Sequence, residues 1–316
     1  MKPAAFDYVV AQTVPEANAA LTAAGPQARV LAGGQSLILE MHLQRITPRL
    51  VVDINRIAGL DELRVDEGTL RVGALVRHRV FENPRSVPGP LGSLFAQAAQ
   101  YIAHPPIRAR GTMVGSLGWA HPASEWCAIA IALDADIELD GRGGARSIPA
   151  KDFFVSRHLT TRRPEELITA VRYRLFGEET GVAFVEHRRT HFSFAQSAVT
   201  AAIAVHDGVI SDVRIGLANC ADRPVRARNA ERSLLGMEAG EAVTGIRLPD
   251  SHPFAEAGRI AAEHDAEPFA EPYADLEYRR HSIATVVGRA LRQAAEDRRS
   301  RAAVRERQAI PEGDGR

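Results

Sequence analysis

The chain has 316 residues, 45% apolar and 25% charged, the balance of a globular protein with room for two domains. Lys plus Arg number 39 and so do Asp plus Glu, so no global charge draws the chain to nucleic acid or an anionic membrane. No run approaches the ~18 apolar residues of a membrane span, and the opening MKPAAFDYVV lacks a signal-peptide pattern, so the reading is a cytoplasmic protein.

In chain order, Thr13-Val14-Pro15-Glu16 is a capping box that opens a helix from Glu16 to Ala24, stopped by Gly25. A short strand, Arg29 to Ala32, runs into Gly33-Gly34-Gln35-Ser36. A helical segment, Leu37 to Leu43, and a strand, Leu50 to Ile54, complete a βαβ-like unit. Alternation from Asp61 to Gly73 predicts a hairpin, Ser93 to Ala103 an Ala-rich helix, Gly111 to Gly118 a glycine-spaced loop, and Ser124 to Leu133 a helix. A strand from Asp136 to Leu139 ends at the turn Gly141 to Gly144, and another spans Leu167 to Leu175. The polar Gly177 to Gly181 reads as a boundary. Strands follow at Phe184 to Arg188, Ala195 to His206 and Val209 to Ala218. Helices then run from Ala227 to Leu235, Phe254 to His264 and Leu276 to about Arg299, before a charged end, PEGDGR, read as frayed.

Two loops carry the chemistry. Leu31-Ala32-Gly33-Gly34-Gln35-Ser36-Leu37 ends a strand in paired glycines. It exposes backbone N–H groups with no Cβ in the way and adds a hydroxyl, a concavity suited to a pyrophosphate or, equally, a tight turn. It is neither a G-x-G-x-x-G fingerprint nor a P-loop. The second loop, Ile107 to Leu117 and on to Glu125, again offers small and hydroxyl residues. Glu125, in a first helical turn, is a hydrogen-bond acceptor for ribityl or ribose hydroxyls or an ordinary helix-end acid. About 80 residues apart, the two loops suggest two walls of a dinucleotide site. Cys127 and Cys220 read as buried thiols. Two thiols cannot supply the four thiolates of an iron–sulfur cluster or structural zinc site, and the histidines show no metal-site spacing, so no metal is expected.

AGGQSL, AHPPIRARGTMVGSLGWAHPASE, PVRARNAE and EYRRHSIATVVGRAL resemble the FAD-binding medium subunits of bacterial molybdenum hydroxylases, the family of the carbon monoxide dehydrogenase flavoprotein and the xanthine dehydrogenase flavin domain. The resemblance covers nearly all of residues 1–295. It implies an α+β fold: a PCMH or vanillyl-alcohol-oxidase-type domain over 1–176, with α/β subdomains at about 1–57 and 58–176. A C-terminal α+β domain over 177–295 and a flexible tail at 296–316 would follow. By similarity, Leu31, Ala32, Gly33, Gly34, Gln35, Ser36 and Leu37 would hold the FAD pyrophosphate. Thr112, Gly115, Ser116, Trp119 and Glu125 would face the ribityl, phosphate or ring system. Ile102 and Ile168 would lie near the adenine half, and Phe194 by the isoalloxazine.

Three residues depart from the family pattern. Val114 replaces a glycine of the usual T-I-G-G, so the loop should bend differently or the cofactor sit further off. His121 replaces an aspartate. Glu186 replaces a lysine that contacts the cofactor, which reverses a charge.

The implied role is electron transfer. FAD on this chain would collect electrons from the iron–sulfur clusters of a small partner subunit, fed by a molybdenum–pterin large subunit, and deliver them to an external acceptor. No residue is assigned as catalytic acid, base or nucleophile. A stand-alone flavoprotein oxidase using His187, Arg188 and His191, and a scaffold that has lost FAD, are the competing expectations.

Overall fold

A computed structural model describes residues 2–239 and 248–309. The first 60 residues build a small parallel sheet. Strand β1 (Asp7–Val10) leads through helix α1 (Val14–Ala24) to β2 (Ala28–Leu31), helix α2 (Leu37–His42) and β3 (Leu50–Asp53). β3 is central and parallel to both neighbours. The capping box is present: Gln12 N–H donates to Glu16 and Glu16 N–H to Thr13 Oγ1, so α1 begins at Val14. β2, α2 and β3 are the βαβ-like unit expected from the sequence.

An antiparallel sheet of five strands follows, in the order β4 (Leu63–Asp66), β5 (Thr69–Gly73), β10 (Leu167–Arg174), β6 (Asp136–Gly141), β7 (Gly144–Pro149). Between β5 and β6 lie four helices: α3 (Gly89–Ala99), α4 (Pro105–Arg108), α5 (Met113–Trp119) and α6 (Glu125–Ala132). A short helix, α7 (Ala150–Phe153), and a small hairpin, β8 (Phe154–Ser156) with β9 (Leu159–Thr160), precede β10. α3 starts four residues earlier than its Ala-rich run, because Pro90 fits a first turn. The glycine-spaced stretch is not a plain loop: Thr112 Oγ1 accepts the Gly115 N–H and caps α5.

The third sheet, β11 (Thr180–His187), β12 (Ser197–His206), β13 (Val209–Ala218) and β14 (Val225–Arg226), is antiparallel and covered on both faces. Period-two alternation sorts its side chains. Val199, Ala201, Ile203, Ile215 and Leu217 face a core closed by α8 (Arg228–Leu234), α9 (Pro253–Ile260) and α10 (Leu276–Ala309). Ile283, Val286, Val287, Ala290, Leu291 and Ala294 form the helical stripe that α10 presents to it. The helix expected to end near Arg299 continues to Ala309; residues 310–316 lie outside the described residues. No described helix is long and apolar enough to cross a membrane.

Ala198, Ala202 and Ala218 face the other way, into the larger core with α3 and α6. Every residue of α6 from Trp126 to Ala132 is buried, as befits a helix apolar all round and clamped between layers. Small residues on both sides set that contact: a Cβ on Gly216 of β13 would stand 2.2 Å from the Ala128 carbonyl oxygen and 2.8 Å from Ala132 Cβ. Gly216→Val should therefore force α6 off the sheet, lowering unfolding free energy by at least about 1–3 kcal/mol, the usual cost of overpacking. Urea denaturation of the two proteins measures it, and an unchanged midpoint would show that the layers separate freely.

Candidate functional site

The two loops singled out in the sequence meet. A Cβ on Gly33 would lie 2.4 Å from the Arg110 carbonyl oxygen and 2.7 Å from Gly111 Cα, so only glycine lets the backbones touch. A polar bridge fixes their spacing. Asn55, just after β3, donates from Nδ2 to the Ala32 carbonyl (2.9 Å) and to Asp53 Oδ1 (2.6 Å). Arg77 donates to Asn55 Oδ1 (2.6 Å) with one guanidinium nitrogen and to the Arg110 carbonyl (2.5 Å) with the other. Neither Asn55 nor Arg77 was singled out in the sequence, where a lone Asn after a strand and a lone Arg in a loop form no motif.

Between the loops lies a cleft that opens to solvent, with about 190 Å³ of space for water-sized groups inside it. Of the residues expected at FAD, Ala32, Gly33, Gly34, Gln35, Ser36, Leu37, Thr112, Val114, Gly115, Ser116, Trp119 and Ile168 line it. Five do not. Leu31 packs with Leu37, Met41 and Val51 beneath the loop. Ile102 is buried in the core behind the second loop, its carbonyl accepting from Arg108. Glu125 opens α6, and Glu186 lies near the end of β11 with its side chain 1% exposed. Phe194 is 70% exposed and stacks on His121 at 4.5 Å.

Gly34 has φ +75°, the left-handed region that glycine tolerates. Among the described residues, the backbone N–H groups of Gly33, Gly34, Gln35 and Ser36 donate to no protein acceptor. Four clustered free donors at a turn make an anion cradle. The charges around it agree. Arg29 and Arg162 line the cleft, and burial together with Arg29 lowers the Arg162 pKa, as expected where two cations adjoin. Glu166 is the one acid on the cleft wall, and its oxygens are occupied: Arg146 donates to both at 2.6 and 2.8 Å, and Arg163 N–H to one at 2.8 Å. Burial opposes its ionisation, but these donors outweigh it and hold the carboxyl below its ordinary range.

His78 also lines the cleft. Burial pushes its pKa down to about 3, with Arg108 and Arg77 adding to the fall, so the ring is neutral and its Nδ1 accepts from Trp126 Nε1 at 3.0 Å. Val114, the branched residue expected to bend the second loop differently, is only 3% exposed. It packs into the core while closing one side of the cleft, so its bulk is absorbed inward. The groups considered for a stand-alone oxidase do not converge on the cleft: His187 Nε2 bonds to Tyr278 Oη at 2.7 Å, while Arg188 turns to His191 and to the Tyr101 ring.

A cradle of backbone donors, flanking guanidiniums and apolar walls such as Ile54, Ala74 and Ile168 defines a site for an extended, phosphate-bearing dinucleotide. Residues 4–173 match the family described as the FAD binding domain in molybdopterin dehydrogenase, and residues 183–294 the carbon monoxide dehydrogenase flavoprotein C-terminal domain. The chain belongs to this family, the FAD-binding subunits of molybdenum hydroxylases. It is 34% identical to the 6-hydroxypseudooxynicotine dehydrogenase complex subunit alpha of Paenarthrobacter nicotinovorans, over 93% of this chain and 96% of that one. It is 31% identical to the carbon monoxide dehydrogenase medium chain of Hydrogenophaga pseudoflava, over 93% and 98%. A chain in a carbon monoxide dehydrogenase structure from the same organism, lacking the Mo-pyranopterin moiety of its molybdenum cofactor, superposes with TM-score 0.86 at 32% identity, covering 94% of this chain and 99% of that one.

Asn55→Ala would cut the bridge at its centre. The expected loss is about 1–3 kcal/mol of stability, because the Ala32 carbonyl and Arg77 each lose a partner, together with weaker retention of FAD. Urea denaturation and FAD titration check both, and undiminished FAD affinity would show that the bridge does not set the loop spacing.

Proposed function

We propose that the chain is the electron-carrying flavoprotein of a molybdenum hydroxylase complex. It takes electrons from the iron–sulfur clusters of a small partner subunit, downstream of a molybdenum–pterin large subunit, and passes them to an external acceptor. Similarity to named subunits of such dehydrogenases supports this reading. The observation that carries it is the donor cradle facing a second small-residue wall across one cleft, where Glu166, the acid lining it among the described residues, is held by Arg146 and Arg163 N–H.

FAD, when bound, supplies the exchange between one-electron donors and a two-electron acceptor. The chain's residues bind and orient it. The N–H groups of Gly33 to Ser36 and the Ser36 hydroxyl hold the pyrophosphate, and Arg29 and Arg162 balance its charge. Thr112, Val114, Gly115, Ser116, Trp119 and Ile168 form the opposing wall, while Leu31 and Ile102 support the two loops from behind. Phe194 covers the flavin end from the loop between β11 and β12, and Glu125 and Glu186 stand near that end. The architecture this assigns is the PCMH type: subdomains near 1–57 and 58–176 around the cofactor, and a C-terminal domain from about 177 to 295. The substrate of the complex is chosen on the molybdenum subunit, so no acid, base or nucleophile is assigned here.

Gly34→Val places a branched side chain at positive φ, with its Cβ 3.1 Å from Leu31 Cδ1 and 3.3 Å from Ile38 Cγ1. The cradle must deform, and FAD affinity should fall at least about tenfold, equivalent to the ~1–2 kcal/mol of left-handed strain. Circular dichroism should stay near wild type. Full flavin absorbance in the purified variant would refute the pyrophosphate assignment. Independently, the isolated wild-type chain should turn over no substrate until its partner subunits are added.

A further inference from the structure

A buried cation outside the cleft lies where the third sheet meets the turn before α6. Arg279, in the first turn of α10, has a side chain only 1% exposed, and burying a guanidinium is costly unless its donors are answered. One terminal nitrogen donates to the Gln196 carbonyl (2.5 Å) and to Glu271 Oε2 (3.2 Å), the other to the Asn219 carbonyl. Asn219, just past β13 and buried, stands at φ +54°, a left-handed conformation that asparagine tolerates better than most side chains. Its Nδ2 donates to the Ala195 carbonyl (2.8 Å) and to Glu271 Oε1 (3.1 Å), and its backbone N–H to the Pro122 carbonyl (2.7 Å).

These bonds grip two segments that carry one ring each. Ala195 and Gln196 follow Phe194 on the loop from β11 to β12, and Pro122 follows His121 on the turn that leads into α6. The two rings stack at 4.5 Å with an interplanar angle of 15°. His121 is steadied on its own side, where Nδ1 accepts the Ala123 N–H at 3.1 Å; burial, with His158 and Arg157, holds its pKa down to about 4, so the ring is neutral. Phe194 is 70% exposed, so little packing fixes its ring, and its place depends on where the Ala195 backbone is held. The stack ends a file of rings: His121 lies 5.3 Å from His158, and His158 lies 4.7 Å from Trp119 on the cleft wall.

We propose that Asn219 and Arg279 are positioning residues: with Glu271 they clasp the loop between β11 and β12 to the turn before α6, and so hold the Phe194–His121 stack together. The link to flavin rests on the proposed placing of Phe194 over the flavin end; the clasp does not.

Asn219→Asp tests it on the full chain. Aspartate keeps the size and tolerates the left-handed backbone, but turns carboxylate oxygens toward the Ala195 carbonyl and Glu271, where the wild type offers N–H donors. In protein labelled at histidine, the His121 ring protons, assigned by NMR with His121→Gln, should sit upfield in the wild type because the Phe194 ring shields them. Phe194→Leu should abolish that shift, and Asn219→Asp should abolish it too, although the Asn219 bonds reach neither ring. A merely structural role would lower the urea midpoint and leave the His121 signals in place. That result would overturn the proposal, as would signals that Phe194→Leu does not move. Should Asn219→Asp not fold, Glu271→Ala decides: its side chain is 28% exposed, and its loss takes an acceptor from both Asn219 and Arg279. Unmoved signals there refute the clasp. With FAD bound, iodide should quench the flavin fluorescence of Asn219→Asp more steeply than that of the wild type. Moved His121 signals with unchanged quenching would uphold the clasp and remove Phe194 from the flavin end.

Discussion

The approach of Gly33 to Arg110 and Gly111 is the constraint on which the cleft depends. Two segments nearly 80 residues apart, one ending a parallel sheet and the other entering a helical layer, run backbone against backbone at a distance that no side chain permits. Contact alone would leave buried carbonyls to satisfy. Asn55 and Arg77 do so for Ala32 and Arg110 and, being bonded to each other, turn two caps into one strut. The strut takes up carbonyl oxygens and leaves the N–H groups of Gly33 to Ser36, on the cleft-lining loop between β2 and α2, without protein acceptors.

Helix α6 is the second organising element. It is sequestered on all sides, and alanine and glycine on the sheet facing it bring the layers close enough for backbone to approach side chain. Such packing gains dispersion contacts but has no slack, since a single added methyl meets a carbonyl.

Much of this was legible in the sequence because it rests on local signals. The capping box before α1, the strand ending in Gly33-Gly34, and the alternation of β11 to β13 each have a periodicity or a turn residue that forces them. β1 was missed because Asp7–Val10 is short and half open, so its pattern is faint. β7 was missed because a Gly-Arg-Gly-Gly turn looked like a terminus rather than a hairpin. The short helix α5 was hidden by its glycines, although the Thr112 cap that starts it is a local signal three residues long. Asn55 and Arg77 could not be found by pattern at all, because their importance lies in what they bring together and not in their neighbours along the chain.

The electrostatics of the cleft complete the argument from residues to ligand. Burying a cation such as Arg162 is costly unless something answers its charge. Among the described residues its hydrogen bonds go to carbonyl oxygens, those of Arg163, Pro164 and Glu166, which solvate a guanidinium without neutralising it. Glu166 and Glu165 answer that charge only through space, since Arg146 donates to both Glu166 oxygens, and burial with Arg29 outweighs them. The wall therefore holds a partly buried cation beside a row of unused N–H donors, an arrangement that an anion would relieve. A pyrophosphate satisfies both demands at once, with oxygens for the donors and charge for the arginines. A neutral ligand could accept from the donors but would leave the charge unanswered.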